Sequence, residues 1–135
     1  MSKLRRLIKG TRASVVVEFA LLLPLMLTLI FSIIELGSAW YSKQMLVNAS
    51  REGARLGAMF EGGTDAEVVT FVQNMLDQSG IPGTVRVTSA GAGGTSGTQV
   101  QVQVTGQHQL PVLGSLVPGF PESITLSATT IMRHE

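Results

Sequence analysis

The sequence contains no cysteine. Disulfides, thiolate catalysis and cysteine metal sites are therefore excluded. The compartment stays open, because an exported domain can do without bridges. Histidine is nearly as scarce: His108 and His134 stand alone, 26 positions apart, in a proline-rich stretch and beside the C-terminus. A solvated polar side chain is the ordinary reading of each. No metal ligand set and no cofactor is expected from them. The glycines at 91, 93, 94 and 97 lie between strand-like segments and do not lead from a strand into a helix, as a phosphate loop must. No spacing brings a nucleophile to a base or pairs carboxylates in a cleft. The expectation is a protein that is not an enzyme, with no catalytic residue to assign.

Charge is missing in two places. Residues 1 to 13 contain no acid, and Phe19 to Ile34 contain no charged side chain at all. The second absence defines an apolar run. From Ser14 to Leu36 only Glu18 and Glu35 interrupt it, and these 23 residues would extend about 34 Å as a helix, against roughly 30 Å of hydrocarbon. The run is a membrane span. The first absence gives its direction. Lys3, Arg5, Arg6, Lys9 and Arg12 are five of the ten basic residues, and the remainder of the chain has a net charge of −4. A basic flank before a first apolar span stays cytoplasmic, so the C-terminal hundred residues belong across the membrane. The same cations are topology signals, and no nucleic-acid partner is expected.

Helical patterning continues past the span. Trp40 and Tyr41 stand where interfacial aromatics belong. Beyond them Leu46, Ala49, Gly53, Leu56 and Met59 or Phe60 recur at helical spacing, with Arg51, Glu52 and Arg55 on other faces. One helix from about Ser14 to Met59 is expected, ended by Glu61-Gly62-Gly63. Pro24 removes an amide donor inside it. Gly37, Gly53 and Gly57 permit close approach of another helix. Thr64 and Glu67 form a T-x-x-E capping box for a second helix over 65–79, with Val68, Phe71, Val72, Met75 and Leu76 on its apolar face. Asp65 and Glu67 fall in its first turn, where carboxylates favour the dipole. Gly80 and Pro82 end it.

Then the period changes to two. "TVRVTS", "TQVQVQVT" and "SITLSATTIM" read as three strands, each with one buried and one wet face. "AGAGGTSG", residues 90–97, joins the first two, and the proline-rich residues 106–122 join the last two, with room for one helical turn. The expected fold is α+β. Residues 1–13 are a basic leader, 14–36 a transmembrane helix, 37–60 its amphipathic continuation, and 64–135 a small exported domain of one helix and a three-stranded antiparallel sheet.

Glu18 needs a reason. A charge at the centre of a bilayer costs roughly 2.5–3.5 kcal/mol on insertion scales. If the chain is cut between Ala13 and Ser14, Glu18 becomes residue five and every leader cation leaves. Ser14 then carries an α-amino group with a pKa near 8. An ammonium and a carboxylate attract strongly in low dielectric, and only one axial offset between packed helices satisfies both, so Ser14 and Glu18 would act as a registry device between subunits.

This front end resembles type IV pilin-like precursors. More narrowly, "VEFALLLPLMLTLIFSIIELGSAWYSKQMLVNASREGARLGA" is similar to the TadE-like pseudopilins of tight-adherence (Tad, or Flp) pilus systems. The resemblance covers about residues 13 to 59. It rests on "VEFALLLPL", on Glu-Leu-Gly at the far end of the span and on "NASREGARLGA". It implies cleavage by a prepilin peptidase, with Ala13 and Ser14 flanking the cut and Glu18 and Phe19 as the recognition pair. It also implies partners in the major Flp pilin, other pseudopilins, the Tad inner-membrane assembly platform and membrane lipid, and a role in pilus biogenesis, adherence and biofilm formation. The implied location is the bacterial inner membrane, single pass, N-terminus cytoplasmic and C-terminal domain periplasmic or extracellular, or incorporated in the pilus itself. One departure stands out: such precursors usually have glycine before the cut, whereas this chain has Ala13, and Gly10 lies three residues too early.

Plainer readings compete. The span could start at Phe19 with Glu18 at the interface beside Arg12, leaving an unprocessed single-pass anchor that displays an exported binding domain. Gly37-Ser38-Ala39 before Trp40 could be a signal-peptide cut, although the apolar run exceeds the usual 7–15 residues. An exported enzyme on a stalk would need a pocket of convergent polar groups within residues 64–135. "NASREGARLGA" itself reads locally as a solvent-facing helix with Arg51 and Arg55 flanking Glu52.

Overall fold

The computed structural model describes the backbone of residues 2–59 and 63–135, and the side chains of residues 13–59 and 63–135. The side chains of the five leader cations, together with Phe60, Glu61 and Gly62 at the expected helix end, lie outside the described residues. The chain forms α1 (Ser2–Met59), α2 (Asp65–Gln78), β1 (Val85–Ala90), β2 (Gln99–Gln109), α3 (Pro111–Leu116) and β3 (Ser123–Arg133). The sheet is an antiparallel meander in the order β1-β2-β3. The architecture is α+β, as expected from the change of period.

α1 is one helix of 58 residues, about 87 Å long, and its two halves meet different surroundings. From Ala13 to Leu36 every side chain is exposed except Thr28, Ser32 and Glu35, which are half-buried. From Ala39 on, one stripe goes under. Ala39, Ser42, Leu46, Ala49, Ser50, Gly53, Ala54 and Gly57 are buried at the three- and four-residue spacing of one helix face. Most of these residues are small, so the backbone of α1 can lie close to its neighbours. A Cβ on Gly53 would overlap Val72 Cγ2 and stand 3.3 Å from Val102 Cγ1, and one on Gly57 would stand 3.0 Å from Val100 Cγ2. Gly53 thus meets α2 and β2 together, a wider role than the helix contact expected of it. Gly37 has nothing within 4 Å. The expected apolar face shifts accordingly: Leu56 is only half-buried and Met59 is exposed, because the seam follows the small residues.

The sheet covers that stripe with one face. On β2, Val100, Val102, Val104, Gly106 and His108 are buried, while the residues between them are exposed or, for Thr105, half-buried. Val68, Val72 and Leu76 of α2 complete the core, each worth about 1.5–3 kcal/mol of burial relative to exposure. Phe71, expected on this face, is exposed. β2 runs four residues past its expected end. Its alternation continues through Gly106 and His108, which an apolar count skips. The "solvated" reading of both histidines is therefore corrected. His108 is buried with Nδ1 3.3 Å from Ser42 Oγ. His134 is buried with Nδ1 3.0 Å from the Ala58 carbonyl and Nε2 3.0 Å from the Gly91 carbonyl. It ties the end of the chain to the end of α1 and to the β1–β2 connection.

The capping box forms as the sequence indicates. Thr64 Oγ1 accepts from Glu67 N, and Glu67 Oε2 accepts from Thr64 N at 2.8 Å. Asp65 does more than face a dipole. It accepts from Ser89 Oγ (2.8 Å), Ala92 N (3.0 Å) and Gly91 N (3.3 Å), fastening α2 to the β1–β2 connection. Burial pushes its carboxyl up, but the hydrogen bonds from Ala92, Ser89 and Gly91 outweigh that and hold it below the ordinary value.

Two outcomes test this packing in the detergent-solubilised full chain. Gly53→Leu should lower unfolding stability by about 1–3 kcal/mol through overpacking, whereas Gly37→Ala should leave it unchanged or raise it by up to about 1 kcal/mol; equal melting of Gly53→Leu and wild type would contradict the seam. A depressed carboxyl stabilises fully above its unfolded pKa and loses that contribution as pH falls through its folded value. The stability gap between wild type and Asp65→Asn should thus be largest at neutral pH and close in acid, and a gap that is constant with pH would refute the clasp.

Candidate functional site

The residues singled out at the front end lie together on the exposed half of α1. Ala13, Ser14, Glu18 and Phe19 are all exposed. One helical turn brings Ser14 to Glu18, and the Ser14 hydroxyl donates to Glu18 Oε1 at 3.3 Å. No side chain of the folded domain reaches either. Farther along, the apolar half manages its own polar groups. Pro24 has no amide for the carbonyl four residues before it. Thr28 Oγ1 donates to the Pro24 carbonyl at 2.8 Å, and Ser32 Oγ to the Thr28 carbonyl at 2.6 Å. Hydroxyls that bond back along their own helix need no water, as a span requires. Among the described residues α1 is the one helix long and apolar enough to cross a membrane.

Glu35, the first charge after the run, has a definite partner. Its Oε1 accepts from Val112 N at 2.6 Å and its Oε2 from Leu113 N at 2.9 Å. These amides belong to the first turn of α3, whose own N-cap, Leu110, has no side chain able to cap it. A carboxylate from α1 therefore does what a local Ser or Asp usually does. Pro111 at the first position suits the arrangement, since it has no amide to satisfy. Spacing alone could not have paired Glu35 with residues 77 and 78 positions away. The available signal was a proline-led turn preceded by leucine, a helix start without a cap.

Residues 13–55 match the family model described as TadE-like protein. That segment of the chain is TadE-like in sequence. The match covers about a third of the sequence and takes in the single apolar helix, which is suited to a single-pass anchor. No curated protein and no solved structure matches the chain.

The TadE-like segment ends at Arg55, inside the docking seam, and takes in neither α2 nor the sheet. This alters the local reading of "NASREGARLGA". Ala49, Ser50, Gly53, Ala54 and Gly57 of that stretch are buried, and Ser50 Oγ lies 2.8 Å from Thr130 Oγ1 on β3. Its solvent face carries the Arg55–Glu52 ion pair at 2.9 Å, worth little at such exposure. The TadE-like motif is thus the half of the helix that receives the domain as well as the half that spans.

Hollows lie elsewhere. One of about 150 Å³, lined by Leu56, Gly57, Gly63, Thr64, Glu67, Val68 and Ala92, is almost wholly apolar. A larger, open groove of about 660 Å³ at the far end of α1 runs past Gly93, Gly94, Thr95 and Ser96 to His134 and Glu135. The His134 ring there is already engaged with two carbonyls. Among the described residues no group of three or more His, Asp or Glu is placed to hold a metal.

Glu35→Gln should leave α3 undercapped at a cost of about 0.5–2 kcal/mol. In hydrogen exchange of the full chain, the Val112 and Leu113 amides should exchange faster in the variant while the β2 amides keep their protection. Unchanged protection at both amides would show that Glu35 does not hold α3.

Proposed function

We propose that the chain is a minor pilin, or pseudopilin, of the Flp pilus, cut between Ala13 and Ser14 by a prepilin peptidase. The observation that carries this reading is Glu18. It sits one turn from Ser14, on a helix half that no other described element of the chain covers. Cutting removes the leader cations and leaves an ammonium where the chain now has only the Ser14 hydroxyl to offer. Glu18 of one subunit then pairs with Ser14 of a neighbour as their apolar helices pack. A buried ion pair is a poor generic stabiliser because both partners lose water. Its value here is the single axial offset it selects. Glu18 and Phe19 serve as the peptidase recognition pair, and the small Ala13 takes the place usually held by glycine.

In this reading the leader faces the cytoplasm and the folded domain lies outside the inner membrane. The partners are the peptidase, the major Flp pilin, other pseudopilins and the inner-membrane assembly platform of the Tad system. The role is pilus biogenesis, and through it adherence and biofilm formation. The TadE-like match over residues 13–55 supports the pilus association; the cleavage and registry roles rest on the physical argument above.

Mass measurement of the protein from cells with an active prepilin peptidase should give a chain beginning at Ser14. A chain beginning at Met1 would make it an unprocessed anchor, and one beginning at Trp40 a secreted domain; either defeats the proposal. In the same cells, Glu18→Ala should insert normally but fail to support filaments, and normal piliation would remove the registry role.

A further inference from the structure

The β2–β3 connection lies at the membrane end of the domain. Contacts along α1 establish the direction. Gly57 faces Val100, Gly53 faces Val102, Leu46 faces Gly106, Ser42 meets His108, and Glu35 holds Val112. β2 therefore runs down α1 toward the span, and the chain turns back at the level of Glu35. The turn is closed by Leu110 N donating to the Glu122 carbonyl at 2.7 Å. Between these residues, "PVLGSLVPGFP" carries no charged side chain. Leu116 is 57% exposed and Phe120 39% exposed. On α1 at the same end, Leu36, Trp40 and Tyr41 are also exposed.

Height decides what these side chains meet. The span Ser14–Leu36, about 34 Å against roughly 30 Å of hydrocarbon, reaches the far boundary close to Glu35. A carboxylate at that depth needs hydrogen-bond partners, and the two α3 amides provide them. α3 is thus fixed at the hydrocarbon boundary, where an uncharged loop with exposed Leu and Phe is favoured and the aromatic pair Trp40 and Tyr41 belongs at headgroup level.

We infer that residues 111–121 form a membrane-lying foot, with Leu116 and Phe120 inserted at the acyl boundary of the bilayer that α1 crosses. The foot gives the exported domain a second attachment beside the helix and so fixes its height and rotation over the membrane. The occupant is phospholipid, because the face is continuous with the span and is held at the span's end. The inference needs only the span; it stands whether or not the leader is cleaved.

The absence of cysteine makes the test direct. Leu116→Cys, Phe120→Cys and, as a control in the exposed far connection, Thr95→Cys are each labelled with bimane. The full chain is placed in nanodiscs of phosphatidylcholine and phosphatidylglycerol, one protein per disc, with or without bromine on the acyl chains. Circular dichroism confirms that each labelled variant keeps its helix and sheet content. Bromolipid should quench the labels at 116 and 120 several-fold more than the label at 95. Equal quenching at all three sites would overturn the foot. So would labels at 116 and 120 that are unquenched in single-copy discs and shielded only when copies are crowded together, since the face would then dock on another subunit.

Discussion

One helix has to satisfy two solvents. α1 leaves the lipid and enters a protein core without a break, and the rest of the structure is arranged around that transition. A helix dressed for hydrocarbon needs bulky apolar side chains on every face. A helix that receives a sheet and a second helix along one stripe needs small residues there. The sequence changes from the first kind to the second at Glu35-Leu36-Gly37-Ser38-Ala39. Below this point side chains are exposed on all sides; above it a narrow stripe is fully buried. The β-branched valines of α2 and β2 fill the space that Gly53, Ala54 and Gly57 leave open.

Polar side chains fasten the small domain at places where the apolar core ends. Glu35 caps α3 at the membrane end, Ser42 meets His108 and Ser50 meets Thr130 along the seam. Lys43 of α1 donates to the Ser127 carbonyl on β3. Asp65 and His134 close the far end. A domain of about 70 residues has little core to spend, so contacts that fix orientation matter more here than in a larger fold. They couple the domain to a helix whose residues 13–55 match the TadE-like model.

Much of the architecture was legible because it is written in periods. The span follows from length and charge, the second helix from its capping box, and the sheet from alternation. The differences have one origin: apolar residues are not the only ones that go under. Gly106 and His108 do not register as apolar, so an apolar count ends β2 at Thr105, although they continue the same alternation. Size points the docking stripe through Leu56 and Met59, whereas a close seam selects against size. Nothing near the histidines in sequence points to burial, because their partners, Ser42 and the Ala58 and Gly91 carbonyls, lie far away along the chain. Glu35 shows the same limit: its interrupting charge was visible, its partner was not. For the front end, the sequence supplies Ala13, Ser14, Glu18 and Phe19 as a pattern, and the fold adds that each is exposed on α1.

The central claim is that a single helix passes from lipid into core at Glu35 to Ala39. Nitroxide scanning of single cysteines from residue 19 to residue 58 in reconstituted full-length protein tests it most directly. Oxygen accessibility, which reports lipid, should dominate at every position up to Ile34 and fall through residues 35–38. From Ala39 onward the labels should show a period of about 3.6 residues, with immobilisation at Leu46, Ala49, Gly53 and Gly57. Lipid accessibility that persists evenly past Leu46, or immobilisation without helical period beyond Ala39, would contradict the account.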